Sequence, residues 1–138
     1  MNELIDKLVK MILRDFPEAQ AIYLYGSVAR GEQRPDSDID LAVLLPREQA
    51  RRVGELTMCE THLALERLAQ RSVDLVNLRL AGRVLQNQVV VTGQLMHVAD
   101  ETARREFEML SLSYYMKLNE ERADILKAFR ETKRVYNV

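Results

Sequence analysis

Apolar residues recur at Leu4, Ile5, Leu8, Val9, Ile12 and Leu13, the spacing of an amphipathic helix over residues 2–16. Asn2 suits its N-cap and Pro17 follows its end. The run Ala21-Ile22-Tyr23-Leu24-Tyr25, rich in β-branched and aromatic residues, predicts a buried strand that stops at Gly26. A turn-rich stretch, 26–37, leads to a second strand over Ile39 to Leu45, closed by Pro46. Val53, Leu56, Cys59, Leu63 and Leu68 predict one long helix over 48–70, weakened locally by Gly54. Val73 to Leu78 reads as a third strand. Residues 83–91 read as a short helix with Val84, Leu85 and Val89 inward, and Gln94 to Val98 as a fourth or edge strand. A highly charged helical region fills 101–134, and a break near Asn119 is compatible with its pattern. The order α-β-β-α-β-α-β-α predicts an α/β (α+β) domain with a small mixed sheet of about four strands, flanked by helices. Residues 1–100 form the core, and residues 101–138 are a helical extension of the same domain.

Composition narrows the class. The 138 residues suit one domain with a core of its own. Hydrophobic residues make up 47% and charged residues 30%, which argues against wholesale disorder. Lys plus Arg is 20 and Asp plus Glu 21, a net charge of −1. No basic field attracts nucleic acid directly. No apolar run approaches a membrane span, and the charged N-terminal residues do not resemble a signal peptide, so a cytoplasmic setting is expected. Cys59 is the only cysteine, which excludes an internal disulfide and a Cys-rich metal site. Cys59 reads as a core residue, and His62 and His97 as structural or exposed.

The chemistry lies in residues 26–41. Side chains two apart on a strand share a face, so Asp38 and Asp40 stand side by side, ~7 Å apart along the chain. Like charges so placed call for a cation, and Mg²⁺ commonly takes one or two carboxylates plus substrate phosphates. Taken alone, Asp-x-Asp is more often a solvated strand end. Upstream, Gly26 permits close backbone approach, and Ser27 with the following N–H groups suits phosphate oxygens. Arg30 and Arg34 offer charge-assisted contacts to the same groups. Asp74 interrupts an otherwise apolar strand. A buried carboxylate is costly unless it faces a cation, a donor or water. If the third strand neighbours the second, Asp74 joins Asp38 and Asp40, and three carboxylates can hold two metal ions, or hold one and act as base for an attacking hydroxyl.

Gly26-Ser27, ten residues, then Asp38-Ile39-Asp40 resembles the signature of the polymerase β-type nucleotidyltransferases. The fuller string, Tyr25-Gly26-Ser27-Val28-Ala29-Arg30-Gly31 to Ser37-Asp38-Ile39-Asp40-Leu41, is similar to the minimal nucleotidyltransferase (MNT) branch, over roughly residues 1–100. The resemblance implies a Mg²⁺-dependent enzyme, with two ions held by Asp38, Asp40 and Asp74 and ATP as substrate. It implies that Gly26, Ser27 and Arg30 meet the phosphates, and that Asp74 helps activate an acceptor hydroxyl. It further implies an antitoxin paired with a HEPN-domain ribonuclease toxin, which it silences by moving AMP onto a toxin tyrosine. Two alternatives stand beside this reading: an antitoxin that neutralises by docking alone, and a nucleotidyltransferase acting on a small molecule or RNA.

The extension bears on the partner. Phe107, Leu110, Tyr114, Leu118, Ile125 and Phe129 form a helical stripe, widened by Met109, Leu112, Tyr115 and Met116. Such a stripe packs in a core or meets another chain, and self-association fits as well as a toxin does. The charged residues from Glu101 to Glu108 and the pair Arg51-Arg52 read as solvated helix surface.

Overall fold

The computed structural model describes residues 2–31 and 37–136, with side chains to residue 131. Helix α1 (Asn2–Asp15) leads into β1 (Ala21–Tyr25), a four-residue helix α2 (Gly26–Ala29) and β2 (Ile39–Leu44). Helices α3 (Arg47–Val53) and α4 (Glu60–Ala69) precede β3 (Val73–Asn77). A 3-10 turn (Leu78–Leu80), α5 (Arg83–Thr92), β4 (Gln94–Val98) and α6 (Glu101–Tyr136) complete the chain. The four strands form one mixed sheet in the order β3-β2-β1-β4, with β1 antiparallel to β2 and β4 and β2 parallel to β3.

Strand alternation divides the core in two. Ile22 and Leu24 of β1, Ile39, Leu41 and Val43 of β2, and Val73 and Leu75 of β3 pack beneath α1 and α4. Leu8 and Ile12 of α1 and Leu65 of α4 are fully buried there, each contributing roughly 1.5–3 kcal/mol. On the other face Ala21, Tyr23, Ala42 and Leu44 meet Leu78, Val89 of α5 and Phe107 of α6.

Three expectations need correcting. The long helix over 48–70 is two helices. Gly54 adopts φ +67 at the end of α3, and a new helix starts at the N-cap Cys59, whose sulfur accepts from the His62 N–H. The interruption resets the phase, so α4 buries Thr61, His62, Leu65 and Ala69, while Leu68 faces solvent. In α5, Val89 is buried and Leu85 packs beside it, but Val84 points outward. Helix α6 runs unbroken through Asn119 to Tyr136, ~54 Å at 1.5 Å per residue.

Of the α6 stripe, only Phe107 enters the core. The Arg83 guanidinium lies 3.6 Å above the Tyr114 ring and pins the next turns to α5. Leu118 is half-buried, and every residue from 119 to 131 is exposed, Ile125, Leu126 and Phe129 among them. The histidines conform to the structural reading, whereas Cys59, expected in the core, is an N-cap only partly buried against it. His62 is buried between the Met58 N–H, which donates to Nδ1, and the Val73 carbonyl at Nε2; His97 and Cys59 are partly exposed.

Candidate functional site

The face that buries Ala21 and Tyr23 carries Tyr25 at its far end. In β1 and β2, Tyr25 pairs with Asp40, and in β2 and β3, Asp40 pairs with Asp74. The three side chains therefore form one row across the sheet, because paired positions on adjacent strands share a face. Asp38 sits just before β2, exposed and close enough to act on Asp40. The structure thus brings Asp38, Asp40 and Asp74 together at one end of the face.

Asp74 departs from its expected burial. It is exposed, because β3 is an edge strand and Asp74 stands near its open end. Its partner is the Tyr25 hydroxyl, which donates to Asp74 Oδ2 at 3.2 Å. Tyr25 itself is only 5% exposed. Sequence reading assigned it no role, since its one signal, two-residue alternation, gives no register to a third strand.

Gly26 has a second reason to be glycine. It adopts φ +75, and a Cβ there would lie 2.1 Å from Asp40 Oδ2. The missing side chain makes room for the carboxylate. Ser27 follows, half-buried, on the first turn of α2, and exposed Arg30 closes that helix by donating its N–H to the Gly26 carbonyl. Gln94 of β4 donates to the Ala29 carbonyl at 2.7 Å and ties α2 to the sheet. Arg34, expected near the phosphates, and Pro35 and Asp36 of the turn lie outside the described residues.

The electrostatics is unbalanced toward negative charge. Burial pushes the Asp40 carboxyl up to about 6, Asp74 and then Asp38 add to the rise, and Arg30 pulls the other way. The Tyr25 hydroxyl is pushed well above its ordinary value, by burial first and then by Asp74 and Asp40. It stays protonated at neutral pH, as a donor must. Among the described residues no three acidic, His or Cys side chains close into a ready-made metal cage. The row fits the other mode of divalent-cation binding, in which one or two carboxylates share the ion with substrate phosphates. The crowded charge around Asp40 is what such an ion would relieve.

The family model described as "Polymerase beta, Nucleotidyltransferase" matches residues 7–102, the segment that contains the whole row. The chain belongs to that nucleotidyltransferase family. It is 34% identical over 126 residues, 91% of this chain and 86% of the relative, to the protein adenylyltransferase MntA of Shewanella oneidensis. A toxin–antitoxin crystal structure with AMP-PNP superposes with TM-score 0.72 at 32% identity, covering 89% of this chain and 95% of that one. A tri-AMPylated Shewanella oneidensis HEPN toxin in complex with MNT antitoxin matches with TM-score 0.68 at 29% identity, covering 92% and 96%. With 89–92% of the chain covered, the likeness to those relatives extends past the core into α6.

Proposed function

We propose that this nucleotidyltransferase transfers AMP from ATP to a hydroxyl, a tyrosine, of a partner HEPN ribonuclease toxin and so acts as its antitoxin. The observation that carries the reading is the row Tyr25–Asp40–Asp74 beside Gly26-Ser27, in a chain 34% identical to a protein adenylyltransferase over 91% of its length. Asp38, Asp40 and Asp74 would hold Mg²⁺, in the two-ion arrangement of a nucleotidyltransferase. The metal would supply neutralisation of the phosphate charge that builds during transfer. Gly26 and Ser27 hold the departing phosphates through backbone N–H and hydroxyl groups, and Arg30 adds a charge-assisted contact. Asp74, on the open side of the row, orients the acceptor hydroxyl and receives its proton. The acceptor oxygen bonds to the α-phosphorus as the bond to pyrophosphate breaks.

The toxin is the partner we assign to α6, in preference to a second copy, because the matched solved assemblies pair such a chain with a HEPN toxin. Among the described residues no helix is long and apolar enough to cross a membrane, in keeping with a cytoplasmic complex.

The test is transfer from ATP labelled at the α-phosphate, with Mg²⁺ and the cognate toxin, beside an Asp38→Asn/Asp40→Asn variant. Label on the toxin with the intact carboxylates alone is the expected result. Label in RNA or a small molecule would replace the acceptor. A variant that still neutralises the toxin would reduce the mechanism to docking, which the exposed α6 face favours.

A further inference from the structure

We infer that Tyr25 is a positioning residue for the nucleotidyl-transfer site: its buried hydroxyl fixes Asp74 in one orientation and leaves the second carboxylate oxygen free for metal or acceptor. The inference rests on the proposed role of Asp74, and it concerns a residue that neither touches substrate nor ligates metal.

Several observations converge on it. Tyr25 is the last residue of β1 and pairs with Asp40 of β2, while Leu24 just before it pairs with Gln94 of β4, so its ring is carried by a strand held on both sides. Asp74 is exposed on the edge strand, where its side chain would otherwise sample several rotamers. The one hydrogen bond from Tyr25 Oη to Asp74 Oδ2, 3.2 Å, crosses from the central strand past β2 to the edge. It therefore ties Asp74 to the strand that leads directly into Gly26-Ser27, so the third carboxylate and the phosphate turn share one rigid support. Ligating carboxylates need such outer contacts, and losing one typically weakens metal binding or activity about 10–100-fold.

The experiment is a double-mutant cycle of Tyr25→Phe and Asp74→Asn in the full-length protein. It is read first as Mn²⁺ binding to the complex with a non-hydrolysable ATP analogue, by electron paramagnetic resonance. Tyr25→Phe keeps the ring and hence the core. We expect Tyr25→Phe to weaken Mn²⁺ about 10-fold, Asp74→Asn at least as much, and the double variant no more than Asp74→Asn alone. In the transfer assay, Tyr25→Phe should lower kcat about 10-fold with the KM for ATP nearly unchanged. Unaltered Mn²⁺ binding and kcat in Tyr25→Phe would overturn the inference, as would a double variant in which the two losses add. Failure of the wild-type protein to transfer AMP at all would instead sink the proposed function, while the Mn²⁺ cycle would still read the coupling.

Discussion

Tyr23 and Tyr25 stand two residues apart on β1, point to the same face and are almost equally buried, at 1% and 5% exposure. Their hydroxyls end differently. Tyr25 Oη donates to Asp74 in a row whose carboxylates are exposed or half-buried. Tyr23 lies one row further in, beside Ala42 and under α6. Its hydroxyl is buried near Glu108 and Arg104 with no hydrogen-bond partner among the described residues. One face thus has a covered end where area burial stabilises, and an open end where charge is concentrated at a cost to stability. The difference marks where burial under α5 and α6 gives way to exposed carboxylates, and the proposed site lies at that boundary.

The sharpest way to break this contrast is to remove the charge. Asp38→Asn/Asp40→Asn should lower AMP transfer by at least about 10³-fold while the protein stays folded by circular dichroism. Retained transfer would detach the open end from the chemistry. Gly26→Ala comes next. Its Cβ would strike Asp40 Oδ2, and φ +75 is strained for any L side chain. It should cost about 2 kcal/mol in urea unfolding and about 10²-fold in transfer, damaging both functions of one position. A neutral result would mean that Asp40 has room to spare.

A pH series on the metal-free protein sharpens the energetic half of the contrast. Asp40 has a folded-state value raised from 3.8 to about 6, so between these values the folded protein holds more protons than the unfolded one. Stability therefore falls as pH rises through that window. Asp40→Asn removes the effect and should be more stable than wild type at pH 7.5. The gain should be about 1 kcal/mol once solvent screening of the half-exposed carboxylate is allowed for, and should vanish near pH 4. A difference independent of pH in chelator-treated samples would show that Asp40 is not strained by its neighbours.

The strands and the motif were legible in the sequence because both depend on near neighbours: short apolar, β-branched runs mark β1 to β3, and spacing places Asp38 and Asp40 on one face. The parallel neighbour that brings in Asp74 was legible only as a condition. The Tyr25–Asp74 bond was not legible, because it needs the register of two separate strand pairings at once. The division at Gly54 was hidden because Leu63 and Leu68 continue an apolar phase that the left-handed glycine in fact resets. In α6 an apolar stripe has the same pattern whether a core or another chain covers it. Only the fold shows that cover ends near Leu118.

The smallest expected effect tests the covered end. Tyr23→Phe deletes a hydroxyl that has lost its water without gaining a partner, and keeps the ring that packs against Val89 and Phe107. Removing an unsatisfied buried polar group should be neutral or stabilising, within about 1 kcal/mol by urea unfolding, with AMP transfer unchanged. Tyr25→Phe makes the same chemical change two residues away but removes a bonded hydroxyl, so it should cost about 1 kcal/mol and depress kcat as well. A loss of more than about 1.5 kcal/mol for Tyr23→Phe would reveal a bonded hydroxyl under α6. The two ends would then differ in solvent access rather than in polarity. If both variants hold their expected values, the same oxygen serves transfer at one end of β1 and is dispensable at the other.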